Sequence, residues 1–186
     1  MKNILLTAFS SGKNLDLFNE KSKKNRLFLC FIITTVHCYT LSILNFEKDY
    51  TTFSFNISYQ LFLLAFSSFF SFGFYHAYSF IVFKICQKLN GKAQFLEVFS
   101  TFIYSLIPII FCNLIIGYLK TSDYSTTDWN NYITRNIIIL FFSFYSFKIG
   151  FIGLKKFNQF GVKKTLIAIS PLWILSILFL SFFFLN

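Results

Sequence analysis

Apolar residues along this chain gather into five long runs, at 27–46, 61–83, 98–119, 136–154 and 165–186, and the polar residues are left to the stretches between them. The runs are 20, 23, 22, 19 and 22 residues long. A helix needs about 20 residues to cross a hydrocarbon core, so each run predicts one crossing. Lys148 is the only lysine, arginine, aspartate or glutamate inside any of them. The connectors have 14, 14, 16 and 10 residues, too few for a folded domain. Loops of that length join antiparallel neighbours, which predicts an all-α membrane protein: a compact bundle of five transmembrane helices over residues 27–186.

Residues 1–26 form a basic tail. Its apolar stretch from Ile4 to Phe9 is broken by Thr7 and is too short for the apolar core of a signal peptide. Ile4, Leu5, Ala8 and Phe9 fit one helical face, and Leu15 with Phe18 a second. The tail is expected to lie as amphipathic turns on the inner leaflet, held by its cations to anionic lipid.

Net charge is +10, which in a soluble protein raises nucleic-acid binding; here no aromatic-basic pattern supports it. The cations mark topology instead. The tail carries six, the second connector Lys84, Lys88 and Lys92, and the fourth Lys155, Lys156, Lys163 and Lys164. With Lys148 these are fourteen of the 17; Lys48, Lys120 and Arg135 make up the rest. By the positive-inside rule the N-terminus is cytoplasmic, and an odd number of crossings puts the C-terminus on the outer side. Charged residues are only 13% of the chain, against about 25% in soluble domains. Thirty Phe and ten Tyr beside many Ile, Asn and Lys suit an AT-rich genome. The expected location is a bacterial inner membrane, with a Golgi or endoplasmic-reticulum membrane as the eukaryotic alternative. Only there would the sequon Asn56-Ile57-Ser58 matter.

Candidate chemistry is sparse. Cys30, Cys38 and Cys112 lie within runs and Cys86 at an edge, with no C-x-x-C, so inert buried thiols are expected rather than a disulfide or metal site. His37 and His76 fall at depths that differ by roughly 5 Å in antiparallel helices, close enough to suggest a haem pair or proton relay. The plainer expectation is a neutral histidine bonded to a neighbouring helix's hydroxyl. No run contains an aspartate, a Ser-His pair in a glycine-rich stretch, or H-E-x-x-H, so neither an enzyme nor a cofactor is expected. Glu97 and Lys148 read as a structural pair, or Lys148 snorkels; a coupling-ion site is the sharper alternative. Pro108 and Pro171 should kink their helices, with Ser105 and Ser170 placed to satisfy the freed carbonyls. Gly150 and Gly153 offer a small-residue face for close helix approach or self-association.

The two basic connectors on the cytoplasmic side echo one another. One passes from Phe83-Lys84-Ile85 through Leu89-Asn90-Gly91-Lys92 to the helix of Pro108; the other from Phe147-Lys148-Ile149 through Phe157-Asn158-Gln159-Phe160-Gly161 to the helix of Pro171. The stretch LNGKAQFLEVFSTFIYSLIPIIF resembles the middle of the Yip domain family, with its Gly-Lys turn, following phenylalanine and proline-bearing helix. IGFIGLKKFNQFGVKKTLIAI resembles that family's element before the last helix, and FNEKSKKNRLF its bacterial members' basic entry. On this resemblance Gly91, Lys92, Pro108 and Gly153 are family-motif positions, with Asn90 where the family often has a first glycine.

The resemblance implies five spans, a cytoplasmic N-terminus and a non-enzymatic role in trafficking or membrane organisation. It implies contacts through helices or cytoplasmic loops with membrane-protein partners, or self-association within the bilayer. Eukaryotic members associate with Rab-type GTPases, but usually through a longer cytosolic N-terminal region than these 26 residues, so GTPase binding is not carried over. A small transporter or channel component, using the kinks with His37 or Glu97, is the alternative.

Overall fold

The computed structural model describes residues 22–45, 57–121 and 129–171. Among these, every regular element is an α-helix: α1 Lys23–Asn45, α2 Ile57–Lys88, α3 Phe95–Thr121 and α4 Trp129–Asn158, with α5 beginning at residue 162 and described through 171. The expected tail turns, Asn56 of the sequon and the last crossing beyond residue 171 lie outside the described residues.

Among the described residues, three helical stretches are long and apolar enough to cross a membrane: Leu64–Lys88, Phe95–Leu119 and Ile133–Asn158. They are the second, third and fourth of the five expected crossings. Lys23, Lys24 and Arg26 occupy the first turn of α1 and shorten its described apolar part. Only the opening turns of α5 fall among the described residues.

The helices also outrun the apolar runs that announced them. At about 1.5 Å per residue, the 32 residues of α2 extend for about 48 Å, and the helix continues through Lys84 and Lys88. α4 likewise continues through Lys155 and Lys156. Apolarity marks where lipid touches the chain, whereas lysine and glutamine are good helix formers that carry the same helix into water. The two basic connectors shrink accordingly to residues 89–94 and 159–161.

α3 lies at the centre, packed against α1, α2 and α4. More than half of its crossing window, 56%, is buried within the chain, against 22% for α2 and for α4. The outer helices turn large aromatics outward, Phe69 and Phe70 of α2 and Leu140 and Phe144 of α4 among them. In lipid that exposure costs nothing, and helix association rests instead on close packing and interhelical hydrogen bonds. Phe31 of α1 meets Phe72 of α2 edge-on at 5.5 Å, and Phe72 meets Phe99 of α3 at 5.4 Å, which locks these three helices in register.

Several hydroxyls within the helices are satisfied locally, as a waterless medium favours, while Tyr78 Oη and Ser79 Oγ are buried with no partner among the described residues. Thr34 donates to the Cys30 carbonyl at 2.9 Å and Ser68 to that of Leu64 at 2.6 Å. Side-chain hydrogen bonds also cross between helices: Asn113 Nδ2 of α3 donates to Thr40 Oγ1 of α1 at 3.3 Å, and Cys38 Sγ of α1 donates to the Ser67 carbonyl of α2 at 3.7 Å. Beneath the second proline, Ser170 donates to the Ile167 carbonyl at 2.8 Å, the very group that Pro171 leaves without an amide. Ser105 does otherwise. It donates to Phe102 at 2.7 Å, not to Tyr104, whose carbonyl lies four residues before Pro108.

Candidate functional site

Gly91 and Lys92, two of the four family-motif positions, lie at the basic end of the bundle, where α2 and α4 stop by the same device. In α2 the Gly91 amide donates to the Cys86 carbonyl at 2.8 Å, and the Asn90 amide to that of Gln87 at 3.0 Å. In α4 the Phe160 amide donates to Lys155 at 3.0 Å and the Gln159 amide to Lys156 at 3.2 Å. Each is a Schellman cap, a six-to-one bond enclosing a five-to-two bond, with the residue after the helix in the left-handed region. Those residues are Asn90, at φ 63°, and Gln159, at φ 56°. Asparagine is the non-glycine residue that best tolerates this region. It therefore stands in for the glycine expected at that place, and the faint repeat between the connectors is a repeated cap.

The two turns then dock on one another. Asn158 is almost fully buried, and its amide Nδ2 donates to Leu154 at 3.0 Å. Its Oδ1 has no hydrogen-bond partner among the described residues and faces Gly91. A β-carbon at Gly91 would meet that oxygen, would lie 2.8 Å from Phe160 Cζ, and would lie 2.9 Å from the Cys86 carbonyl. Gly91 is thus required by close approach, and its own φ is not positive. Lys164 of α5 completes the joint by donating to the Leu89 carbonyl at 3.0 Å, a cation on the terminal carbonyls of α2. Beneath the turns, Val82, Cys86, Ala93, Val98, Leu154 and Phe160 form one buried cluster drawn from both connectors and three helices.

Gly153 serves a similar purpose one layer deeper. A β-carbon there would run into Thr101 Cγ2 and lie 2.8 Å from its Oγ1. Gly150, one turn earlier, has only ordinary contacts, with Ile169 at 3.7 Å and Ser105 at 4.0 Å. Both glycines are buried against the chain's own helices, so of the two expectations for this face the structure shows close helix approach within the chain. Pro108 is buried in mid-α3. Lys92 stands exposed at the surface of the first turn.

Glu97 and Lys148 are engaged separately. Glu97 Oε2 accepts from the Gln94 amide at 2.7 Å, one half of a capping box that starts α3. Lys148 lies over the Tyr145 ring at 5.7 Å, a cation–π contact, and no ion pair among the described residues joins it to Glu97. The histidines do not share a site either. His37 is buried beside Tyr75, 6.3 Å between ring centroids, with no partner at Nδ1 among the described residues. The hydroxyl partner expected for it is therefore missing at that nitrogen. His76 is exposed and packs edge-on against Phe95 at 4.7 Å. All four cysteines are buried free thiols.

Of the residues of this joint, sequence reading passed over Thr101 and named Asn158, Phe160 and Lys164 without giving them a contact. Two signals were available: an asparagine among lysines at a helix end, and the matched spacing of the two connectors.

A helical chain with several membrane-length stretches, two matched caps and a glycine-dependent joint at its basic end is a multi-pass membrane protein. Comparison with protein families assigns it more narrowly: the Yip1 domain matches residues 10–183, and the chain belongs to that family. No curated protein and no solved structure gives a match.

Proposed function

We propose that this protein acts without catalysis, as a membrane organiser whose cytoplasmic turns dock other membrane proteins. In this reading the chain crosses five times, through 27–46, 61–83, 98–119, 136–154 and 165–186, with its N-terminus in the cytoplasm and its C-terminus outside. Fourteen of the 17 cations then fall on or near the cytoplasmic side, as the positive-inside rule asks. A bacterial inner membrane is the proposed location.

The observation that carries the reading is the joint between the two turns. Gly91 against Asn158 and Phe160, with Lys164 on the Leu89 carbonyl, fixes a small surface that displays Lys92 outward. A surface already ordered in the free protein loses little entropy when a partner binds. The test is photo-crosslinking in cells from residue 92, with residue 140 as a lipid-facing control. Discrete protein adducts at position 92 and none at 140 support the proposal. Adducts equally diffuse at both positions count against it.

A further inference from the structure

A second feature of the basic end lies apart from the joint. A cleft of about 470 Å³ opens between the starts of α1 and α3 and the side of α2. Lys23, Arg26 and Leu27 line it from α1, His76 from α2, Gln94 from the turn before α3, and Phe95 and Leu96 from α3. We propose that this cleft binds the phosphate of an anionic phospholipid headgroup.

The placement follows from helix geometry. Phe31 meets Phe72, and α1 and α2 run antiparallel; Arg26 precedes Phe31 by five residues and His76 follows Phe72 by four. At about 1.5 Å per residue those offsets nearly match, which brings the basic start of α1 level with His76. Lys23 and Arg26, three apart, share one face of α1. On the opposite wall, Phe95 and Leu96 belong to the first turn of α3, where amides lack intrahelical acceptors and the helix dipole is positive. That combination suits an anion. His76 is positioned by ring contacts with Phe95 at 4.7 Å and Phe99 at 5.3 Å. The nearest acid in sequence, Glu97, turns its Oε2 to the Gln94 amide at 2.7 Å and does not line the cleft.

Two features favour a phosphate ester over other anions, and a lipid over a soluble ester. The arginine fork matches phosphate oxygens, and Arg26 is half-buried, so its field is less screened than that of the exposed Lys155 and Lys156. Leu27, Phe95 and Leu96 give the cleft apolar walls, and Phe28 beside it is 65% exposed. An acyl chain attached to the bound phosphate therefore has an apolar path out of the cleft. The site is independent of the proposed docking of proteins at the turns.

The test is native mass spectrometry of the purified full-length chain in detergent, offered equal amounts of phosphatidylglycerol and phosphatidylcholine. At about 1 kcal/mol for each basic side chain, two cations predict at least tenfold preference for phosphatidylglycerol in the first bound molecule. Lys23→Gln with Arg26→Gln should bring the preference to within about twofold, while Lys155→Gln with Lys156→Gln leaves it unchanged. Arg26→Lys, which keeps the charge, should retain most of it. No headgroup preference in the unaltered chain overturns the proposal. Equal loss in both double variants also overturns it, because the attraction is then diffuse charge. Displacement of phosphatidylglycerol by millimolar glycerol 3-phosphate overturns the lipid assignment in favour of a soluble phosphate ester.

Discussion

Gly91→Ala isolates the joint between the two turns with a single methyl group. The added carbon would fall on Asn158 Oδ1, 2.8 Å from Phe160 Cζ and 2.9 Å from the Cys86 carbonyl oxygen. The first two neighbours are side-chain atoms, but Asn158 and Phe160 are both buried and have little room to retreat. The third is backbone, and the Gly91 amide itself donates to it, so moving it breaks the cap. Overpacking of a filled site costs about 1–3 kcal/mol, and a lost cap bond about 1 kcal/mol, so a total of about 2–4 kcal/mol is expected. Gly161→Ala is the matched control, since nothing lies within 4 Å of its added carbon. The assay is equilibrium unfolding of the purified protein in mixed micelles, followed by circular dichroism. Phe160→Leu combined with Gly91→Ala should recover part of the loss, with a coupling of at least about 0.5 kcal/mol. Equal stability of Gly91→Ala and Gly161→Ala would refute the reasoning.

The remaining expectations use the same measurement. Gly153→Ala should destabilise by about 1–3 kcal/mol, because its β-carbon meets Thr101, and Thr101→Ala should relieve it; Gly150→Ala should stay within about 0.5 kcal/mol. Gln159→Gly should stabilise by about 1 kcal/mol through relief of the left-handed backbone at φ 56°, whereas Asn90→Gly should change stability less. An equal response of the two would show that the caps are not held in that conformation. Ser170→Ala should cost about 1 kcal/mol by leaving the Ile167 carbonyl beneath Pro171 without a donor.

The apolar runs located α2, α3 and α4 well because lipid-length apolarity is a one-dimensional signal. They misplaced the helix ends, since helicity continues through Lys84–Lys88 and Lys155–Lys156, where apolarity has stopped. Gly91 was readable as a turn, but not as a contact. Its neighbours Asn158 and Phe160 lie about seventy positions away, and no local pattern announces a pairing over that distance. Glu97 was misjudged for a different reason. An acid near a membrane lysine suggests an ion pair, while the three-residue spacing from Gln94 carries the simpler role of starting α3. Gln94 obscured that signal, because Ser or Thr usually holds its position. The Gly150 and Gly153 face was seen correctly as small; sequence alone could not tell that the chain's own α3 and α5 fill it.

The claim on which the rest depends is that both matched turns face the cytoplasm at one end of a membrane bundle. Single cysteines at positions 92, 161 and 186, each introduced into a chain whose four cysteines are replaced, test it in intact cells with a membrane-impermeant maleimide. Positions 92 and 161 should stay unlabelled until the membrane is permeabilised, and position 186 should label at once. Labelling of 92 and 161 from opposite sides, or of 186 from the same side as both, would contradict the account.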